Sequence, residues 1–192
     1  MAIFHYTVKI VGRSKGKSII SASAYLNGDV MKNEETGRIS YYTAKKEVVY
    51  TSLLMCENAP QEWLNVPAEN IRRFQKSARY KRADNKDAAL GKFKLTFQKQ
   101  RLWNEVLKIE KTSDAQLGRS FEFSLPKEWS RQEQIDYTTE YIQKTFVDHL
   151  FLLVKIKRPS RNARPAWIFI SLSWCPAPAR PAAAEHPWAA VR

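Results

Sequence analysis

"FHYTVKIVGRSKGKSIISASAYLNGD", residues 4–29, encodes a strand, a basic turn and a helix in direct succession. Apolar and polar side chains alternate in its first part, namely Phe4, Tyr6, Val8 and Ile10 against His5, Thr7 and Lys9. This period of two predicts a strand with one face in the core and one polar face. The glycines and cations of residues 12–17 then predict a flexible basic turn.

A short helix is expected after the turn. Ser18 is suited to cap its N-terminus, and Gly28 is suited to end it after Asn27. The residues suited to the core are Ile19, Ala22, Ser23 and Leu26. Tyr25 falls instead on a small polar face with Ser18 and Ser21, the successive members of which are three and four residues apart. We therefore expect an exposed phenol near the mouth of the basic turn.

An exposed tyrosine is open to two interpretations. A phenol has a pKa of about 10 and is only about 0.1% ionised at neutral pH, so a nucleophilic Tyr25 needs nearby cations, a base or a metal-bound phosphate. Ordinary packing of an aromatic side chain is the alternative. The local pattern does not choose between them.

The charge of the chain favours a polyanionic partner. Its 192 residues, 44% of them hydrophobic, suffice for one substantial core, and 32 Lys and Arg against 19 Asp and Glu leave a net charge of +13. Residues 66–101 alone hold eleven basic and three acidic side chains. Such a segment can form a face that binds nucleic-acid phosphates, and nucleic acid is favoured over a membrane surface as the partner. The alternative is an ordinary solvated helical surface.

Other classes of protein are disfavoured by what the sequence lacks. No apolar run approaches the roughly 20 residues of a membrane span, and the start has no secretory leader pattern, so we expect a cytoplasmic location. Cys56 and Cys175 have neither the spacing of a zinc site nor that of a disulfide framework.

The remaining pattern alternates strands and helices. In residues 118–126, apolar side chains alternate with Ser120, Glu122 and Ser124, which predicts a strand with one carboxylate on its polar face. Ser130 and Glu133 form a capping box for the helix that follows. The other expected elements are a hairpin over Ile39 to Met55 and helices over Glu69 to Lys81, Phe97 to Lys111 and Arg131 to Phe146.

Four stretches in order resemble the MobA/MobL relaxases, DNA-nicking enzymes of the HUH endonuclease class. They are "MAIFHYTVKIVGRSKGKS" with "SASAYLNGD", "TGRISYYTAKKEVVYTSLLMCENAP", "LWNEVLKIE" and "LGRSFEFSLPKEWSRQEQ". The resemblance covers residues 1–147 and implies an α+β fold with a central antiparallel sheet and helices on one face. It also implies that Tyr25 attacks one phosphodiester of single-stranded DNA at a plasmid transfer origin, leaving a 5′-phosphotyrosine and a free 3′-hydroxyl, in company with other relaxosome proteins.

The same resemblance implies a phosphate-binding turn and a metal site. Arg13, Lys15 and Lys17 would cradle phosphates, and Glu122 would help to hold Mg²⁺ or Mn²⁺, since Ser120 departs from the acidic residue that the family often carries. The family's metal is held by an Asn-Pro-His-x-His-like strand. Neither that sequence nor any pair of histidines at i and i+2 occurs here, where the histidines are His5, His149 and His186.

Composition changes near Asp148. Six of the nine prolines lie in the last 46 residues, and "AWIFISLSW", residues 166–174, predicts one short apolar strand with no evident partner. We therefore expect residues 148–192 to be a poorly ordered Pro/Ala/Arg-rich segment outside the family domain, frame-altered or divergent, and the relaxase-like fold to be incomplete at its C-terminus.

Three functions remain open. The first is a mobilisation relaxase, a metal-dependent DNA endonuclease of doubtful activity. The second is a non-catalytic basic DNA-binding module, and the third is an inactive relaxase fragment. Loss of nicking in Tyr25→Phe would separate the first two, and a cooperative melt of the expressed chain would argue against the third.

Overall fold

The computed structural model describes residues 6–16, 18–43, 48–55, 62, 64–126, 128–145, 151–157 and 167–173. For residues 151–157 and 167–173 it describes the course of the backbone alone. Several predicted features lie outside the described residues, among them Phe4, His5, Lys17, His149 and His186.

Strands and helices follow one another along the chain. The strands are β1 (Tyr6–Gly12), β2 (Val30–Lys32), β3 (Ile39–Tyr41), β4 (Val48–Met55), β5 (Gln116–Ser124), β6 (Phe151–Lys157) and β7 (Trp167–Ser173). The α-helices are α1 (Ile19–Asn27), α2 (Ala68–Lys76), α3 (Ala78–Lys81), α4 (Lys86–Ile109) and α5 (Arg131–Thr145). Five strands form an antiparallel sheet in the order β1-β5-β7-β6-β4, and β2 pairs with β3 in a second, two-stranded sheet. The predicted α+β class with an antiparallel sheet is confirmed.

The core lies between the sheet and two helices. Its buried members come from α1, β2, α4 and β5, and they are Ile19, Ile20, Ala24, Met31, Leu102, Trp103, Val106, Leu107 and Leu117. Val11 of β1 and Leu53 and Met55 of β4 pack against this cluster. α1 is short and gains its stability from this apolar packing, because an isolated helix of its length is not stable in water.

The two faces of β1 are assigned differently from the prediction. Val8 is 43% and Ile10 is 42% exposed, although their alternation suggested the core. Val11 packs against the core cluster, and the period of two places Thr7 and Lys9 on the same face as Val11. β1 lies at the edge of the sheet, so its more apolar face is left partly open. Periodicity finds two faces but does not say which one the helices will cover.

The predicted hairpin over Ile39 to Met55 is wrong, although both of its strands exist. β3 pairs with β2, and β4 pairs with β6, far away in the sequence. The pairing of β3 with β2 is favoured by the turn that joins them. In it, the Asn33 side chain accepts from the backbone N–H groups of Glu35 and Thr36, and Gly37 takes a φ of 70° that suits glycine.

The helices lie where the sequence predicts them, but several differ from the prediction in length. The helix expected over Glu69 to Lys81 is interrupted at Ser77, whose hydroxyl caps α3 by accepting from the N–H of Tyr80. α4 starts eleven residues before Phe97, because the Asn85 side chain caps it by accepting from Ala88 N–H at 2.9 Å. Among the described helices, none is long and apolar enough to cross a membrane.

The largest difference between the sequence-based prediction and the structure lies in the C-terminal part of the chain. β7 is formed by the apolar stretch that seemed to lack a partner, and it pairs with β5 on one side and β6 on the other. The partners come from earlier parts of the chain, and the sheet extends past residue 147. No local pattern could reveal this, because both partners of β7 are supplied by other parts of the chain. Residues 146–150, 158–166 and 174–192 lie outside the described part, so their order and reading frame stay predictions.

Candidate functional site

Tyr25 projects from a helix whose two ends are fixed. The Ser18 hydroxyl accepts from Ser21 N–H at 3.3 Å, and Gly28 ends α1 in the left-handed conformation with a φ of 67°. Near that end, the Thr51 hydroxyl of β4 donates to the Asn27 side-chain oxygen at 3.0 Å. The opposite side of α1 is buried, and Tyr25 is 48% exposed. Its predicted exposure is confirmed.

A second tyrosine orients this phenol. The ring of Tyr42 meets that of Tyr25 edge to face, with ring centroids 5.3 Å apart and an interplanar angle of 86°. The Tyr42 hydroxyl lies 3.4 Å from the Ser21 hydroxyl, and the Tyr42 backbone N–H donates to the Asp29 carbonyl. Tyr42 therefore limits the positions open to the Tyr25 ring. The sequence offered only an ambiguous signal for it, a tyrosine after a short β-rich run.

Arg13 holds the basic turn against the end of α4. Its guanidinium donates to the carbonyls of Leu107 at 2.6 Å and Glu110 at 2.5 Å, and it forms an ion pair with Glu35 at 3.1 Å. Carbonyls at a helix C-terminus lack partners within the helix, so an arginine there satisfies their hydrogen-bonding capacity. Its positive charge also interacts favourably with the negative end of the helix dipole. These contacts give Arg13 a role in holding the fold, and phosphate binding by Arg13 stays a prediction.

The structure describes less of the two lysines of the turn, Lys15 and Lys17, than of Arg13. Lys15 lies in a short 3-10 turn, Arg13–Lys15, which Gly16 closes with a φ of 61°. The backbone of this turn is described, but the Lys15 side chain is not, and Lys17 lies outside the described residues. Phosphate binding by these two lysines stays a prediction.

Glu122 faces a cation across the sheet. Its neighbour in the register is Thr7, and its carboxylate lies 3.9 Å from the Lys9 ammonium, with 19% of the glutamate side chain exposed. Alternation along β1 puts Lys9 on the face that Val11 shares with α1. The pair therefore lies on the sheet face covered by the helix that carries Tyr25.

The described residues do not fit a divalent metal centre. A Mg²⁺ or Mn²⁺ ion needs several oxygen or nitrogen ligands, and the described part of the chain holds no group of three or more His, Cys, Asp or Glu side chains that could bind one. The neighbouring Lys9 charge also disfavours a cation beside Glu122. Metal ligation by Glu122 therefore stays a prediction without support from its surroundings.

One of the basic residues in 66–101 is removed from the surface. Lys99 is 1% exposed, and its ammonium contacts the Asp29 carboxylate at 2.7 Å, itself 3% exposed. Burial lowers the pKa of Lys99, while the charge and hydrogen bond of Asp29 oppose that shift. Removing one partner of such a pair typically costs about 3–5 kcal/mol of stability. Lys99 therefore joins α4 to the loop after α1 and is not available to a phosphate.

Comparison with known protein families matches most of the chain. The sequence profile of the MobA/MobL family matches residues 17–162. The chain belongs to the MobA/MobL family. The match includes α1 with Tyr25, the turn of β2 and β3, all of α2 to α5, and β6.

Individual relatives agree with the MobA/MobL assignment. The chain is 26% identical over 144 residues to the conjugal transfer protein TraA of Agrobacterium fabrum, which covers 75% of this chain and 11% of TraA. It is 26% identical over 134 residues to the mobilization protein MobL of Acidithiobacillus ferridurans, or 70% of this chain and 26% of MobL. The chain thus spans about a tenth of TraA and a quarter of MobL.

A solved structure shares the MobA/MobL chain's fold. It is described as the molecular basis of vancomycin resistance transfer in Staphylococcus aureus, and it matches with a TM-score of 0.61 at 19% identity, over 90% of this chain and 70% of the other. At this identity the match establishes the fold alone, and the α+β architecture expected from the sequence is confirmed.

Proposed function

We propose that this chain carries the strand-nicking part of a conjugative relaxase, with Tyr25 as its nucleophile. The observation that carries the proposal is the half-exposed Tyr25 phenol on α1, inside the segment that matches the MobA/MobL family. The helix around it is rigid, because Ile20 and Ala24 on its other side are fully buried. A nucleophile on a fixed helix approaches its target in few orientations, which lowers the entropic part of the barrier.

The proposed reaction is a transesterification. The Tyr25 phenolic oxygen attacks a phosphorus of single-stranded DNA, and a tyrosyl O–P bond forms as the bond from phosphorus to the 3′-oxygen breaks. The phenolic proton leaves to solvent, and the departing 3′-oxygen takes a proton to become a hydroxyl. The protein is then joined to the 5′-phosphate of the downstream strand, and the reverse reaction reseals it.

The sheet face that α1 covers carries a cation that would favour a bound phosphate. Lys9 carries an ammonium that is 67% exposed, on the sheet face that α1 covers. A cation there would favour the negative charge that grows on the phosphoryl oxygens during the attack. We assign no step to a metal ion, since the described residues do not fit one.

The decisive experiment is a covalent-adduct assay with Tyr25→Phe. Single-stranded oligonucleotides tiled across transfer origins of conjugative plasmids, labelled at the 3′ end, are incubated with the full chain and Mg²⁺ or Mn²⁺. Denaturing gels then detect label joined to protein. We expect an adduct with the parent and none with Tyr25→Phe, because the phenylalanine ring has no nucleophilic oxygen.

Tyr41→Phe is the matched control. Tyr41 lies on β3 and is 69% exposed, so its replacement removes an even more accessible phenol. We expect its adduct to match the parent's. An adduct that survives in Tyr25→Phe would show that another residue is the nucleophile.

A second candidate is a DNA-binding module without nicking activity. It is favoured by the lack of a fitting metal centre among the described residues and by the basic helices α2 to α4. Its sign would be DNA binding that weakens steeply with salt in a parent that forms no adduct with any oligonucleotide. The inactive fragment would give neither DNA binding nor an adduct.

A further inference from the structure

A cavity of about 500 Å³ opens between α2, α3 and α4. This volume lies within the range of about 300–1,000 Å³ that is usual for small-molecule sites. One wall is aromatic, since Phe74 of α2 stacks on Phe93 of α4, with centroids 4.2 Å apart and an interplanar angle of 4°. Phe97 adds a third ring to the lining. Flat aromatic surfaces of this kind are what unpaired bases stack on.

Cations line the same cavity. Arg73, Arg79 and Lys92 are among its lining residues, one from each of the three helices. Arg73 forms an exposed ion pair with Glu69 at 3.0 Å. Among the described residues, no acidic side chain forms a salt bridge with Arg79 or Lys92. The charge of Lys92 also contributes to lowering the pKa of the buried Lys99. Two cations beside the aromatic wall are therefore available to an anion.

Part of the cavity lining is polar and fixed. Asp29 lines it, and the buried ion pair with Lys99 holds this residue in place. Asn70, Ser77 and Gln100 add groups that can form hydrogen bonds with the edge of a base. A ligand with a ring, polar edges and an attached anion would contact all three parts of the lining, namely the aromatic wall, the polar groups and the cations.

We propose that this cavity binds one unpaired nucleotide of the DNA strand, with its base against the Phe74 and Phe93 wall and its phosphate between Arg79 and Lys92. The proposal rests on the proposed function for the identity of the strand. Asp29 follows Tyr25 by four residues, just beyond the end of α1. A nucleotide bound here would contact a residue four positions after the nucleophile, and its binding would help to set which phosphodiester reaches Tyr25.

Fluorescence titration tests the cavity without any need for cleavage. The probe is an oligothymidylate of about 12 nucleotides with a single 2-aminopurine, titrated in EDTA with the full chain, with Arg79→Gln/Lys92→Gln and with Arg82→Gln/Lys94→Gln. Both double variants lose two positive charges, but Arg82 and Lys94 are exposed and lie outside the cavity lining. The control therefore accounts for the general loss of charge.

We expect the cavity variant to bind about tenfold more weakly than the parent and to lower the salt dependence by about 0.7 in slope, the value for one neutralised phosphate of a single strand. The control should weaken binding by about twofold, as expected for charges that act at a distance. Equal weakening in the two double variants would overturn the proposal. Thermal melts of each variant ensure that folded proteins are compared.

Phe93→Leu tests the base separately from the phosphate. Leucine keeps an apolar side chain but removes the flat ring, so we expect the bound 2-aminopurine to regain fluorescence because it is no longer quenched by stacking. Unchanged quenching in this variant would overturn the placement of the base. A parent that binds through the cavity but forms no covalent adduct would contradict the nuclease proposal alone. A parent that forms the adduct with equal weakening in both double variants would contradict the cavity alone.

Discussion

At the scale of single residues, Arg13 and Lys99 show how a cation in a basic protein can be used within the fold. Arg13 donates hydrogen bonds to carbonyls at the end of α4, and Lys99 forms an ion pair with the buried carboxylate of Asp29 after α1. Each links α4 to the segment around α1. The net charge of +13 therefore overstates the cations that a DNA strand can meet.

Replacing Arg13 should cost stability more than it costs DNA binding. Arg13→Gln loses hydrogen bonds to Leu107 and Glu110 and the ion pair with Glu35. We expect the free energy of unfolding to fall by about 1–3 kcal/mol, because partly buried carbonyls are left unsatisfied. Urea titration of the parent, of Arg13→Gln and of the exposed Arg38→Gln measures the difference. Stability equal to that of Arg38→Gln would contradict this role.

At the scale of elements, the helix termini are determined by local chemistry. The capping box of α5 forms as predicted, since Ser130 N–H donates to Glu133 Oε2 at 2.6 Å and Glu133 N–H donates to the Ser130 hydroxyl at 3.3 Å. The hydrogen bonds from Ser130 lower the pKa of the Glu133 carboxyl below its ordinary value of 4.5. The charged carboxylate is thus the form that the folded helix prefers.

This cap should make the stability of the protein sensitive to acid. A carboxyl whose pKa is lowered by folding contributes fully above its ordinary value of 4.5, and the contribution is lost as the pH falls through the lower folded value. We expect the parent to melt at a higher temperature than Glu133→Gln at about pH 7, and the two to converge towards about pH 3. Glu128→Gln, at an exposed glutamate outside the capping box, is the control. A difference that persists unchanged at low pH would contradict the assignment.

At the scale of the whole molecule, the sheet is assembled from distant parts of the chain. β7 lies between β5 and β6, and β6 joins β4 to the rest of the sheet. Without β6 and β7, the described sheet would reduce to β1 with β5, and β4 would lose its partner. β6 and β7 are therefore part of the described fold, and they connect β4 to the rest of the sheet.

Shortening the chain tests this arrangement. A chain that stops after residue 147 lacks β6 and β7, and we expect it to lose cooperative thermal unfolding, because unpaired strand edges and apolar faces become exposed. A chain that stops after residue 173 keeps every described strand and should unfold cooperatively. Circular dichroism melts compare the two. A cooperative melt of the shorter chain at the temperature of the longer one would contradict the role of β6 and β7.

The sequence by itself determined the local elements and the exposure of Tyr25. Ser18, Gly28 and the Ser130–Glu133 box act within one or two helical turns, so their effects can be read from neighbouring residues. Only the tertiary structure decided strand pairing, the covered face of β1 and the roles of Arg13 and Lys99. Those depend on contacts with other parts of the chain, such as Lys99 with Asp29 and Arg13 with Glu110, which lie 70 and 97 positions apart, and no periodicity encodes which distant groups will meet.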